Sequence, residues 1–153
     1  MNEEDDFGVV HTDRMTGSDP AEFFALKQQL SSARAVLKAM PFVASVERAW
    51  FGGGVGGVFA VFLVSFVDTE TSDQGLVYSW VAVGDVPWFV TLAEKGDRPV
   101  DIARRYVASV RSWVANNGEE PEDCFIGPKY LPKRNKELLE RVSFIEKSIL
   151  QFF

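Results

Sequence analysis

The spacing of apolar and polar residues changes period along this chain, and each change marks an element. From Asp19 to Met40 the apolar residues Phe23, Leu26, Leu30, Ala33, Leu37 and Met40 recur at spacings of three and four, which places them on one stripe of a helix. Asp19 stands as its N-cap, Pro20 at the first helical position and Glu22 three residues after the cap; Pro41 ends it. From Phe42 to Phe51 the period shortens to two. Val46, Arg48 and Trp50 fall on one face and Ser45, Glu47 and Ala49 on the other, so this strand has at least one wet face.

The chain then crosses Gly52-Gly-Gly-Val-Gly-Gly57 and enters Val58-Phe-Ala-Val-Phe-Leu-Val-Ser-Phe-Val67, ten residues without a charge. Its β-branched and aromatic content predicts a strand buried on both faces at the middle of a sheet. Asp68 to Gly75 is a polar turn, and Leu76 to Val83 a third strand. Gly84-Asp85 fits a two-residue hairpin turn of type II′ leading into a fourth strand, Val86 to Leu92. Pro87 cannot donate to a ladder and restricts that strand to a sheet edge or a bulge.

Asp97 is expected to cap a second helix with the stripe Ala103, Tyr106, Val107, Val110, Trp113 and Val114, closed by Asn116-Asn117-Gly118. Glu119 to Pro132 holds three prolines and no period, a long connection of the kind that is often functional. A last helix runs from about Lys133 to Phe152, with Leu138, Val142, Ile145, Ile149 and Phe152 on one side. Residues 1–17 are acidic and aperiodic and read as a flexible arm before a single domain of residues 18–153. The order predicts an α+β fold: an antiparallel meander of three or four strands, with the N-terminal helix and two C-terminal helices packed on one face.

Composition narrows the function. A chain of 153 residues with 46% hydrophobic and 13% aromatic content is large and apolar enough for one core without metal or disulfide support. Its net charge of -6 disfavours sequence-independent nucleic-acid binding and suits a basic partner. One cysteine, Cys124, excludes an internal disulfide, and the acidic N-terminus lacks the basic and apolar regions of a secretion signal, which points to the cytoplasm. Ala49 to Val67, nineteen residues without a charge, is nominally long enough to cross a bilayer as a helix, but five glycines in six positions and the β-branched run favour a strand. No membrane association is expected.

Candidate chemistry is sparse. Gly52-x-Gly54-x-x-Gly57 matches a dinucleotide fingerprint as a string, yet a strand follows where the phosphate needs a helix N-terminus. The single histidine, His11, lies in the acidic arm, far in sequence from Cys124, whose carboxylate neighbours raise its pKa. One His and one Cys are too few soft ligands for zinc, and Asp68, Glu70 and Asp73 lack calcium-loop spacing. No cofactor, metal or catalytic residue is expected.

Trp80-Val-Ala-Val-Gly-Asp-Val-Pro87, followed by Trp88-Phe89 and a helix with Tyr106 and Trp113, carries a strand end of the form Trp-x-x-x-Gly-Asp-x-Pro. It resembles small bacterial domains of uncharacterised function, some of which are similar to immunity proteins of toxin systems, over Leu76 to about Gly118. The resemblance and the charge together lead to a non-enzymatic protein that occludes a basic, toxin-like partner. Asp68, Glu70, Asp73, Glu119, Glu120, Glu122 and Asp123, with Asp85, would meet the partner's cations, and Trp88 or Trp50 would anchor it. The alternative is a ligand-binding domain or enzyme with a pocket between sheet and helices lined by Tyr78, Trp80, Trp88 and Tyr106. A homodimer through the last helix or an edge strand is a third reading.

Overall fold

The computed structural model of the chain describes residues 2–70, 73 and 75–153. Thr71, Ser72 and Gln74 of the expected polar turn lie outside the described residues. Among the described residues, six antiparallel strands form one sheet in chain order: β1 (Val10–His11), β2 (Val43–Val55), β3 (Phe59–Asp68), β4 (Leu76–Gly84), β5 (Val86–Leu92) and β6 (Phe125–Gly127). A short helix, α1 (Glu3–Phe7), precedes β1; α2 (Pro20–Lys38) lies before β2, α3 (Pro99–Ala115) before β6, and α4 (Asn135–Phe144) after it. The α+β class and the meander are those expected. The two additional strands, of two and three residues, are too short to carry a period of two.

β3 is the centre of the molecule, and its residues alternate between two cores. Phe59, Val61 and Leu63 face α3 and α4 together with Trp80, Phe89 and Tyr106. Ala60, Phe62, Val64 and Phe66 face α2 together with Leu26, Ala33 and Leu37. The expectation of helices on one face is therefore corrected to helices on both. The physical reason lies in β3 itself: a strand apolar on both sides would leave half its area in water under a single helical layer.

β2 extends through the glycines to Val55, so the tight turn is only Gly56, Gly57 and Val58. Gly54 has φ +137°, and a Cβ there would stand 2.3 Å from the Phe59 carbonyl oxygen; the glycines let two backbones and the C-terminal Phe153 ring approach closely. The hairpin is held to α2 by side chains: Gly57 N–H donates to Gln29 Oε1 at 2.9 Å and Gly56 N–H to Glu22 Oε2 at 3.2 Å. The string that matches a nucleotide fingerprint is thus a β-hairpin clipped to a helix.

The acidic segment expected to be a flexible arm is folded onto the domain. Phe7 and Val9 enter the core on the α3 side and Met15 the core on the α2 side, so the segment wraps the edge of β2. Asn2 caps α1, Glu4 pairs with Arg14, and the Arg98 guanidinium donates to the Asp6 carbonyl. Three single apolar residues in a polar setting produce no period.

Helix ends follow the sequence at α2, where Asp19 Oδ1 accepts the Glu22 N–H at 2.8 Å. They depart from it at α3. Arg98 occupies the N-cap position without a side-chain cap, and Asp97 instead accepts from the Trp80 indole Nε1 at 3.1 Å and from Glu94 N–H at 2.8 Å. The last helix is also not uniform. A π turn at Ile145–Ile149 follows α4 and adds a residue to that turn, which rotates the apolar stripe. Phe153 packs on Phe59 while Phe152, the expected stripe residue, is exposed.

Candidate functional site

Strand register decides which loops are neighbours. Val43 pairs with Asp68, Val67 with Leu76, Ser79 with Leu92 and Val90 with Phe125, so the β3–β4 turn and the loop before β6 lie at one end of the sheet. Asp68, Glu70 and Asp73 belong to the first, and Glu119, Glu120, Glu122 and Asp123 to the second. Two carboxylate groups about fifty positions apart in the chain are brought to the same end. Asp85 and Trp88 are not with them, since Gly84 pairs with Val86 and Trp88 with Gly127 at the opposite end.

Between the two acidic loops the surface is apolar. Leu92 is 56% exposed and Phe125 42% exposed, and the Phe125 ring lies 5.6 Å from Phe42, which in turn stacks against Phe66 of the core. Phe125 is therefore exposed but braced. Local hydrogen bonds set the loop shapes: Asp68 Oδ1 accepts the Glu70 N–H at 2.7 Å, and Glu120 Oε1 accepts the Ile126 N–H at 3.3 Å. Arg105 donates to Thr91 Oγ1 at 3.0 Å and to Asp123 Oδ2 at 3.4 Å, so Asp123 is partly neutralised within the molecule. Glu70, Asp73, Glu119 and Glu122 are exposed and make no ion pair among the described residues.

Of the expected aromatic anchors, Trp50 is corrected: it is buried beside Tyr78 in the core on the α3 side and presents nothing to a partner. Trp88 is half-buried at the other end of the sheet, beside a groove of 530 Å³ between α2 and the β4–β5 turn. The apolar side chains exposed at the acidic end are Leu76, Leu92 and Phe125, and sequence reading singled out neither Leu92 nor Phe125. Their only signal was that each stands at the end of an apolar run, next to charges.

The aromatic pocket expected between sheet and helices is also corrected. Trp80 and Tyr106 are fully buried in the core on the α3 side, with Phe59 and Phe89 packed on the Tyr106 ring, while Trp88 packs on the α2 side of the sheet. Opposite faces of a sheet cannot line one chamber. Burial pushes the Tyr106 hydroxyl far above the usual tyrosine range, and it donates to the Pro87 carbonyl at 2.9 Å, holding the bulge where Pro87 escapes pairing.

Cys124 is buried, and its thiol is pushed up to about 11, first by burial and then by the carboxylates of Asp123 and Glu120. It is a poor nucleophile. His11 lies on the surface with Nδ1 accepting the Asp13 N–H at 3.2 Å. Among the described residues no three His, Cys, Asp or Glu side chains gather to hold a metal ion, and no helix is long and apolar enough to cross a membrane.

At the Asp85 end, Asp85 pairs with Arg141 at 3.2 Å, and Arg141 also pairs with Glu137 at 2.7 Å. The hydrogen bond from Arg134 and the nearby guanidinium charges hold the Glu137 carboxyl below the usual carboxylate range. Asp85 is thus committed to an internal ion pair that fastens the β4–β5 turn to α4. Comparison with family models, with curated proteins and with solved structures finds no match to this chain.

Proposed function

We propose that this protein is a non-enzymatic, cytoplasmic binding factor of the immunity or antitoxin kind, which occludes a basic partner protein with the acidic end of its sheet. One observation carries the reading: two acidic loops from distant parts of the chain flank the exposed side chain of Leu92 and the exposed, braced ring of Phe125. Such a surface has the composition of an interface, an apolar centre for affinity inside a charged rim for steering and specificity. The net charge of -6 adds a long-range field of the same sign.

In this mechanism the carboxylates of Glu70, Asp73, Glu119 and Glu122 attract lysines and arginines around the partner's working surface, and Phe125 and Leu92 displace water at the centre. The partner is blocked sterically. The protein contributes no chemistry of its own.

The test is capture of partners from the native cell by the immobilised chain, at about 0.05 M and then about 0.5 M salt, a range over which screening of exposed charges becomes severe. One basic protein is expected at low salt and less of it at high salt. Glu70→Lys, Glu119→Lys and Glu122→Lys combined are expected to abolish capture without changing Tm, and separately Phe125→Asp is expected to abolish capture with a lowered Tm, since its ring packs on Phe42, while the protein remains folded at the temperature of the assay. Capture of no protein at either salt, or of the same protein by both variants, overturns the proposal.

A further inference from the structure

A cavity of 410 Å³ lies between the β4–β5 turn, the segment after β6 and α4, at the end of the sheet opposite the acidic loops. We propose that it binds a small arylalkyl carboxylate, with the carboxylate at Lys129 and the ring against Trp113, Leu131 and Leu138.

The charge of the ligand follows from the ion pairs. Three cations, Lys129, Arg134 and Arg141, and two carboxylates, Asp85 and Glu137, line the cavity. Arg134 donates from Nε and Nη2 to Glu137 at 3.3 and 3.0 Å, and Arg141 divides itself between Glu137 and Asp85. Both guanidinium groups are therefore matched. Lys129 is exposed and makes no ion pair among the described residues, so one positive charge remains. A monoanion balances it. A phosphate dianion would bring a second charge against Glu137 and Asp85 with no cation left to answer it.

The shape of the ligand follows from the walls. Pro87, Pro128, Leu131 and Leu138 are apolar and rigid or branched, and Trp113, only 2% exposed and braced by the Tyr130 ring at 5.1 Å, borders the cavity with a small part of its indole. A flat ring suits such walls. The volume falls within the range of small-molecule sites, and a few polar groups beside apolar walls is their usual composition.

Phenylacetate is the probe. Titrated into the full-length, ¹⁵N-labelled protein, it is expected to shift the Trp113 indole N–H resonance in a saturable way. Phenylacetamide, the same shape without the charge, is expected to bind about tenfold more weakly, as is phenylacetate to Lys129→Gln, each corresponding to one decade of Kd. Leu131→Asp, at an exposed position, is expected to abolish binding while the remaining amide spectrum stays that of the folded protein. The variants of the acidic end are expected to bind phenylacetate normally, which separates this site from the partner surface. No shift of Trp113 at the solubility limit overturns the proposal, as does equal affinity for the amide, equal affinity of Lys129→Gln, or stronger displacement by inorganic phosphate.

Discussion

Single side chains report how tightly this molecule is closed. With its thiol at about 11, Cys124 is ionised at pH 8 to only roughly one part in a thousand, so alkylation of the native protein is expected to be at least about a hundredfold slower than that of the unfolded chain. A stopped-time labelling series read by mass spectrometry checks it. Tyr78 gives a pH dependence. Its hydroxyl is raised to about 12, first by burial and then by its 2.8 Å hydrogen bond to Glu3. The folded value lies above the unfolded one, so the associated stability is complete below the ordinary tyrosine range and is lost as pH rises through about 12. Glu3→Gln is expected to lower the phenolate midpoint, followed by absorbance, and to leave a smaller alkaline loss of Tm. At this scale the sequence was a poor guide to partners. Asp97 had every mark of a helix cap, yet its carboxylate serves the Trp80 indole, because a buried N–H with no acceptor costs more than a missing cap at an exposed helix end.

Elements were more legible, since their signals are local. The stripe of α2 and the two-sided character of β3 are periodicities that neighbouring residues carry by themselves. The strand reversal falls where Gly84-Asp85 was expected to make it, but not as a type II′ turn: Gly84 has no positive φ, stays in β4 and pairs with Val86 across Asp85 alone. Leu37, buried between α2 and the sheet, tests the second helical layer: Leu37→Ala is expected to cost about 2–5 kcal/mol in denaturant unfolding. Two glycines separate backbone strain from steric overlap. Gly57 has φ +81° with nothing near its missing Cβ, and Gly57→Ala is expected to cost about 1–2 kcal/mol through backbone strain alone. At Gly84 a Cβ would stand 2.1 Å from the Val58 carbonyl oxygen, so Gly84→Ala must spread the β3–β4 pair and is expected to cost more than Gly57→Ala. The π turn after α4 escaped sequence reading, because the residues that rotate the stripe from Phe152 to Phe153 are ordinary helix formers.

The whole molecule is a three-layer body with an N-terminal wrap, an acidic end and a cavity at the other end. The wrap is testable. Removal of residues 1–17 uncovers the sites of Phe7, Val9 and Met15 and is expected to lower stability by on the order of 4 kcal/mol or more. That corresponds to about 10 °C in Tm for a chain of this size. The sequence by itself determined the α+β class, the meander and the burial of Phe59 to Phe66 within the Val58 to Val67 run, because each rests on contacts or periods within a few residues. The tertiary structure decided which helices take which face, that the carboxylates of 68–73 and 119–123 share an end, that Asp85 is spent on Arg141, and that Lys129 borders a cavity with apolar walls and two ion-paired arginines. Those outcomes depend on strand register, where a shift of one residue exchanges the two faces, and register is set by packing among residues far apart in the chain.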